Sequence, residues 1–227
     1  MQRILITGSR GAIGKKLKAR LSGAIEIDRQ LGFDLLTCDL PEVDIIYHLA
    51  AQTSVESSWQ DPLFDSYNYN MMVRLVQHYP KAKIIYAQSG ASMEASSPYG
   101  FSKKIAGDYL KKFHDNYVIC VFPNVFGTGR SVADFFKGKD EVIIYGTGEH
   151  IRDYVHVDDI ADGLVKAKDW DKGEYFMGSE TGTSVLELAE GKVVTFMPER
   201  REQKESILPN TTPNWRPYIN VKTYLND

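Results

Sequence analysis

Cysteine is scarce in this sequence. Among 227 residues, Cys38 and Cys120 are too few and too isolated for a disulfide framework or a cysteine metal site. Both are typical of buried thiols in a reducing compartment. No apolar run approaches the ~20 residues that span a bilayer, and the chain opens on a strand-like run with no signal-peptide pattern. We therefore expect a cytoplasmic protein with no metal site and no membrane partner.

An excess of charge of one sign is also missing. Lys and Arg number 27 against 30 Asp and Glu, which gives a net charge of −3. This balance offers no electrostatic reason to expect nucleic acid as a partner. We find no internal repeat and no low-complexity tract. At this length, one large domain or two small ones can bury a core without disulfides.

Short apolar runs alternate with segments of helical periodicity. Runs that end in turn residues predict strands at 3–7, 24–28, 43–49, 83–87 and 117–122. Helices are predicted at 11–21, 62–79 and 99–114, two of them with a proline near the start. This alternation predicts an α/β fold with a doubly wound parallel sheet. After Asn124 the pattern loosens into short apolar runs separated by glycines.

A glycine-rich turn follows the first predicted strand. Gly8, Gly11 and Gly14 stand where a dinucleotide-binding turn needs a tight bend, close approach to a pyrophosphate and helix–strand packing. The following helix would direct its N-terminal N–H groups at the phosphates. Asp28 ends the second predicted strand, 20 residues after Gly8 (28 − 8), where an acid can bind a ribose diol. We therefore predict a Rossmann-type dinucleotide-binding domain at 1–123. Residues 124–227 are predicted to form a reduced substrate-binding lobe, interleaved with late Rossmann elements.

Three side chains bear on the choice between NAD and NADP. Asp28 would repel the 2′-phosphate of NADP, which favours NAD. Arg10, inside the glycine loop, and Arg29, beside Asp28, could instead attract that phosphate. A solvated loop side chain explains Arg10 about equally well. NAD is the expected cofactor, with NADP as the alternative.

A tyrosine and a lysine stand one helical turn apart later in the chain. Tyr99 and Lys103 share a face of the helix predicted at 99–114. A free phenol titrates near ~10, but a neighbouring ammonium and a positive nicotinamide ring both favour the phenolate. A drop of about three pKa units corresponds to roughly 4 kcal/mol. Alone, such a pair is usually a solvated helix face; beside a dinucleotide it indicates an acid–base tyrosine.

Taken in order, these motifs resemble those of the extended short-chain dehydrogenase/reductase family. The resemblance is greatest to its nucleotide-sugar epimerases and dehydratases, such as UDP-glucose 4-epimerases, although this chain is unusually short. The segments at 28–39 and 124–145 are trimmed relative to that family. The matching positions are 7–14, Asp28, 39–40, 48–51, Asn68, 85–89, 97–103, 124–127, 145–148 and 152–159.

The resemblance implies a role for each matching residue. Tyr99 would be the catalytic acid/base, Lys103 would lower its pKa and bind the nicotinamide ribose, and Ser89 would hydrogen-bond the reacting sugar oxygen. Asn124 and Arg152 would hold the substrate diphosphate, since the planar fork of arginine pairs two phosphate oxygens. The implied cofactor-binding residues are Gly8, Arg10, Gly11, Ala12, Ile13, Gly14, Asp28, Asp39, Leu40, Leu49, Ala50, Ala51, Asn68, Ala87, Tyr99 and Lys103.

The segment after Ser89 bears on the reaction. Dehydratases and decarboxylases of the family share an acidic residue just after this serine, whereas here the first carboxylate is that of Glu94. The resemblance therefore implies epimerisation of a nucleotide sugar, most simply a UDP-hexose at C4, by transient hydride transfer to bound NAD. The alternatives are an NADP-dependent reductase of a keto sugar or other carbonyl compound and a non-catalytic dinucleotide-binding protein. By analogy, the helices at 62–79 and 99–114 predict a homodimer.

Two histidines and one arginine also have structural explanations. We interpret His48, at a strand end, and His156, just before a predicted helix start, as structural residues and not as catalysts. For Arg152, a salt bridge with Asp153 or Asp158 is the alternative to phosphate binding.

Overall fold

The fold is built on a parallel sheet of six strands in the computed structural model, which describes residues 2–199 and 207–226. The strands are β1 (Ile4–Thr7), β2 (Ile25–Ile27), β3 (Ile45–His48), β4 (Lys83–Ser89), β5 (Tyr117–Phe122), β6 (Asn124–Phe126), β7 (Glu141–Tyr145), β8 (Ile151–His156), β9 (Gly173–Phe176), β10 (Gly182–Ser184) and β11 (Val193–Met197). The main sheet has the order β2-β1-β3-β4-β5-β9, with every pair parallel. This confirms the predicted doubly wound α/β fold.

Helices cover both faces of the main sheet. They are α1 (Ala12–Arg20), α2 (Val55–Gln60), α3 (Pro62–His78), α4 (Pro98–Phe113), α5 (Val132–Phe136), α6 (Val157–Ala167), α7 (Val185–Leu188) and α8 (Val221–Asn226). On one face α3 and α4 bury Met72, Leu75 and Leu110, and on the other α1 and α6 bury Leu17 and Leu164. Because both faces are covered, the central strands are continuous apolar runs. None of the helices in the described part of the chain is long and apolar enough to cross a membrane.

Side-chain caps fix where the two long helices begin. Asp61 accepts a hydrogen bond from the Phe64 N–H at the start of α3, and Ser97 accepts one from the Gly100 N–H at the start of α4. Each cap is followed by a proline, whose fixed φ suits the first helical position. The start of α4 matters most, because it sets the position of the tyrosine predicted to be catalytic.

The strand order reverses between β1 and β3, and open α/β sheets bind ligands at such a switch point. The loops after these two strands touch: a Cβ on Gly8, whose φ is +72°, would lie 2.6 Å from the Ala50 nitrogen. In the usual dinucleotide-binding order a third strand lies outside the second. Here the trimmed segment after β2 forms the 3-10 turn Arg29–Leu31, and β2 is the edge of the sheet.

Two small sheets form a second group, which we call the small lobe. It consists of the sheet β10-β8-β6, the parallel pair β11-β7 and helices α5, α7 and α8. Its core contains Phe126, Phe136 and Leu188. The chain leaves this lobe to supply α6 and β9 to the main sheet. The division into domains at residue 123 stays a prediction.

Candidate active site

A cleft of about 1190 Å³ opens where the central strands of the main sheet end. Four of the predicted site residues line it, although they belong to four different elements. Ser89 ends β4, and Tyr99 lies in the first turn of α4. Asn124 begins β6, and Arg152 lies within β8. The cleft therefore joins the carboxyl edge of the main sheet to the small lobe.

The Tyr99 phenol lies beside Ser89. The residue is 8% exposed, and it lines the cleft together with Ser89. Burial raises the pKa of Tyr99, the Ser89 side chain lowers it, and the charge of the buried Asp65 raises it again. The net effect of these groups is a raised pKa of the Tyr99 phenol in the protein without cofactor. Without a bound cofactor, the cost of burying the phenolate outweighs the effect of Ser89. The predicted lowering, which includes the charge of a bound nicotinamide ring, stays a prediction.

Lys103 lies one turn further along α4, as the spacing predicted. Its ammonium donates to the Ala87 carbonyl oxygen at 2.6 Å and stands 4.3 Å from the centre of the Tyr86 ring. Lys103 is 3% exposed, and burial lowers its pKa to about 7. Ala87, predicted as a cofactor contact, thus holds the lysine through its backbone.

The glycine loop has the close packing that a phosphate cradle needs. A Cβ on Gly14 would overlap the Gly8 carbonyl oxygen, and Gly11 is the N-cap of α1 with no side-chain cap. The first turn of α1, which begins at Ala12 and Ile13, contains no acidic residue. Its N–H groups therefore suit an anion such as a pyrophosphate. The residues present fit a bound dinucleotide.

Asp28 braces this loop at the end of β2. One carboxylate oxygen accepts from the Arg10 N–H at 2.9 Å and the other from the Gln30 N–H at 2.8 Å. The Arg10 guanidinium lies 3.5 Å from the Glu26 carboxylate, so Arg10 is not simply a solvated side chain. Arg29 pairs with Asp34 at 3.0 Å. Both cations that could attract a 2′-phosphate are therefore engaged with carboxylates.

Asn68 connects three elements near the β3 loop. Its amide nitrogen donates to Ser102 Oγ at 3.0 Å and to the Gln52 carbonyl at 3.2 Å, and its oxygen accepts from the Gln52 N–H at 2.9 Å. It is 1% exposed, so its predicted contact with a cofactor would be indirect, through the loop it holds. That loop contains Leu49, Ala50 and Ala51. Asp39 is exposed and Leu40 half-buried, just before β3.

Both histidines have structural roles, as predicted. His48 is buried, its Nδ1 lies 2.8 Å from Thr7 Oγ1, and its ring stacks on Tyr86. Burial, reinforced by the nearby charge of Lys103, lowers the pKa of His48 to about 3. His156 caps α6 by accepting from the Asp158 N–H at 3.2 Å.

The Arg152 guanidinium has no ion pair with any of residues 2–199 or 207–226, and the two acids proposed as its partners are engaged elsewhere. Asp153 accepts from Ser179, and Asp158 pairs with Lys16 and Arg20. Arg152 lines the cleft and is partly exposed. Its side chain is therefore available to an anionic ligand.

One wall of the cleft was missed by the sequence analysis. Val55, Glu56 and Trp59 line it from α2, a helix that was not predicted. A signal was present, because Ser54 is a preferred N-cap residue and accepts from the Ser57 N–H. Leu208 lines the cleft from the far end of the chain, and no local pattern connects it with the site.

The family can now be assigned. The model of the NAD dependent epimerase/dehydratase family matches residues 4–177, which contain the glycine loop and the four cleft residues. The chain belongs to this family.

The chain is similar to two relatives and one solved structure from this family. A putative UDP-glucose 4-epimerase of Methanocaldococcus jannaschii is 27% identical over 81% of this chain and 70% of its own length. The UDP-glucose 4-epimerase of Mycolicibacterium smegmatis is 29% identical over 73% of this chain and 72% of its own. The crystal structure of a Thermotoga maritima UDP-glucose 4-epimerase with UDP-glucose has a TM-score of 0.83 at 24% identity. That match covers 99% of this chain and 96% of the other.

Proposed function

We propose that the protein is an NAD-dependent epimerase that inverts C4 of a nucleotide-activated sugar, most simply a UDP-hexose. The observation that carries the proposal is the meeting of two pairs in one cleft. Ser89 and Tyr99 supply hydroxyl groups for proton transfer, and Asn124 and Arg152 supply groups for a diphosphate. UDP-glucose 4-epimerases among the relatives agree with this choice.

The residues divide the work as follows. Tyr99 Oη would take the proton of the C4 hydroxyl and later return it to the same oxygen of the inverted sugar, and Ser89 would orient that oxygen. Lys103, held by the Ala87 carbonyl one turn further along α4, would supply a cation that favours the phenolate. The loop that contains Gly8, Gly11 and Gly14 would hold NAD, which would supply reversible hydride transfer at C4. Since burial alone raises the pKa of Tyr99, a nearby positive charge is what the base requires.

Three observations support epimerisation with NAD over elimination or an NADP-linked reaction. The residues directly after Ser89 form a short turn, Gly90–Ser92, that contains no carboxylate for elimination. Arg10 pairs with Glu26, which weakens the case for NADP. Asp28 is placed at the end of β2, where it suits a ribose diol.

The deciding experiment is turnover on UDP-hexoses and other nucleotide hexoses with NAD, read by chromatography of the products. A C4 epimer is expected with wild type. Tyr99→Phe should lose about 10²–10⁴-fold in rate while it still binds NAD. Tyr109→Phe, a ring-packed tyrosine on the same helix, is the matched control.

Two other outcomes would contradict the proposal, and they can be distinguished from each other. Stoichiometric consumption of reduced NADP with a keto sugar would identify a reductase. NAD binding without product from any sugar, in wild type as in Tyr99→Phe, would favour the binding-only alternative.

We also propose a homodimer formed through α3 and α4. Large apolar side chains are exposed on these helices: Leu63 is 78%, Phe101 55% and Phe113 61% exposed. Exposed large apolar side chains on a pair of packed helices suit an interface. Light scattering at micromolar concentration should give twice the chain mass, and a monomer mass would contradict the dimer.

A further inference from the structure

A second pocket of about 300 Å³ adjoins the cleft on the side of the small lobe. It shares Asn124, Val132 and Arg152 with the cleft. Arg130 and Tyr154 line the second pocket but not the cleft. A ligand that extends from the Tyr99 region past Arg152 would therefore enter it.

The pocket offers three hydrogen-bond donors without partners among residues 2–199 and 207–226. The guanidinium groups of Arg130 and Arg152 have no ion pair there. The Tyr154 hydroxyl is buried and unpaired, and the residue is only 4% exposed. An unpaired buried hydroxyl costs free energy, which a ligand can recover. Burial raises the pKa of Tyr154 to about 12, so its hydroxyl keeps the proton it would donate.

The backbone that presents Arg130 is fixed in place by one carboxylate. Asp134 accepts hydrogen bonds at 2.8 to 3.2 Å from Gly127 N, Thr128 N, Thr128 Oγ1, Arg130 N, Ser131 N and Tyr224 Oη. Burial alone would raise the pKa of Asp134, but the bonds from Ser131, Tyr224 and Gly127 hold it well below the usual range. Because these donors satisfy the carboxylate, it does not neutralise the Arg130 guanidinium.

We propose that Arg130 and Tyr154 complete, with Arg152, the site for the diphosphate of a nucleoside diphosphate sugar. The diphosphate link carries two negative charges, which match two guanidinium groups, and the Tyr154 hydroxyl donates to a remaining oxygen. A ligand with a single carboxylate in place of the diphosphate would leave one of the two arginines unpaired. Arg130 and Tyr154 therefore determine affinity for the diphosphate, whereas Tyr99 carries the chemistry. This inference rests on the proposed function.

Calorimetric titration of UDP, UMP, uridine and inorganic pyrophosphate separates these contributions. Arg130→Gln should weaken UDP about tenfold, because it removes a charge-assisted hydrogen bond, and should leave uridine unchanged. Tyr154→Phe keeps the ring and should weaken UDP by a smaller factor. In turnover the loss in Arg130→Gln should fall on KM more than on kcat. Arg3→Gln, an exposed arginine paired with Glu42, is the matched control.

The outcomes distinguish this inference from the proposed function. UDP binding by Arg130→Gln and Tyr154→Phe as tight as by wild type would overturn the inference and leave the epimerase proposal standing. A wild type that neither binds nucleoside diphosphates nor turns over nucleotide sugars would overturn both. Pyrophosphate that binds like UDP, with the same loss in Arg130→Gln, would support a diphosphate site independent of the nucleoside. Thermal midpoints of all variants show whether each is folded.

Discussion

The main sheet and the small lobe differ in how far their strands are buried. We call the main sheet with α1, α3, α4 and α6 the cofactor half. Both faces of its sheet are covered, and β3 and β5 are buried. In the small lobe, β11 instead leaves Val193, Phe196 and Met197 exposed. The proposed acid–base residues, Ser89 and Tyr99, lie in the cofactor half, which is stabilised by hydrophobic burial. Arg130 stands on a loop held by the hydrogen bonds of one carboxylate. The difference predicts that single substitutions affect chemistry and substrate affinity separately.

The largest loss of stability is expected from a substitution in the glycine loop of the cofactor half. Gly14→Ala places a methyl group against the backbone of Gly8 and Ser9, neither of which can yield as a side chain would. We expect a loss of about 3 kcal/mol in unfolding free energy, at the upper end for overpacking, together with weaker NAD binding. Urea unfolding and NAD titration measure both. Gly11→Ala, whose Cβ would lie 3.2 Å from the Gly8 oxygen, should lose less, and equal losses would contradict the packing argument.

The corresponding change in the small lobe is Asp134→Ala. Removing the carboxylate leaves several loop N–H groups unpaired, so we expect a loss of about 2.5 kcal/mol in stability and a raised KM. NAD affinity should not change, because the cofactor half is untouched. Asp140→Ala, an exposed acid in the same lobe, is the control. A parallel loss of NAD affinity would show that the two regions are coupled.

His48 should make the stability of the cofactor half depend on pH. Its pKa is about 3 in the folded protein, against about 6.5 when unfolded, so below pH 6.5 the unfolded chain binds a proton that the folded protein does not. Stability therefore falls as the pH drops, by about 2 kcal/mol between pH 6.5 and 5 from this residue. Urea unfolding of wild type and His48→Gln at both pH values measures it. An identical pH slope in the two proteins would be inconsistent with a buried neutral histidine.

The smallest effect is expected at the exposed edge of the small lobe. Phe196 on β11 is 56% exposed, so Phe196→Ser should change stability by no more than about 0.5 kcal/mol. The contrasting change Ile85→Ala, in the centre of the main sheet, should cost about 3 kcal/mol. Comparable losses at the two positions would mean that the exposed face is covered in solution.

Much of the fold could be predicted because the cofactor half is built from local signals. The run Ile45–Tyr47 is apolar, and Pro98 follows a serine cap, so strand and helix can be predicted from the sequence. The missed helix α2 has six residues and no strong periodicity. The small lobe was read only coarsely, because its strands β6 and β10 have three residues each and owe their pairing to distant partners.

The sequence by itself determined the order of elements, the glycine turn and the spacing of Tyr99 and Lys103, because each depends on contacts within a few residues. Tertiary structure decided which charges are free. It paired Arg10 with Glu26, left Arg152 open and buried the Tyr154 hydroxyl beside Arg130. It also buried the Tyr99 phenol, which raises its pKa in the protein without cofactor. Desolvation and ion pairing depend on residues distant in the chain, and their distances exist only after folding.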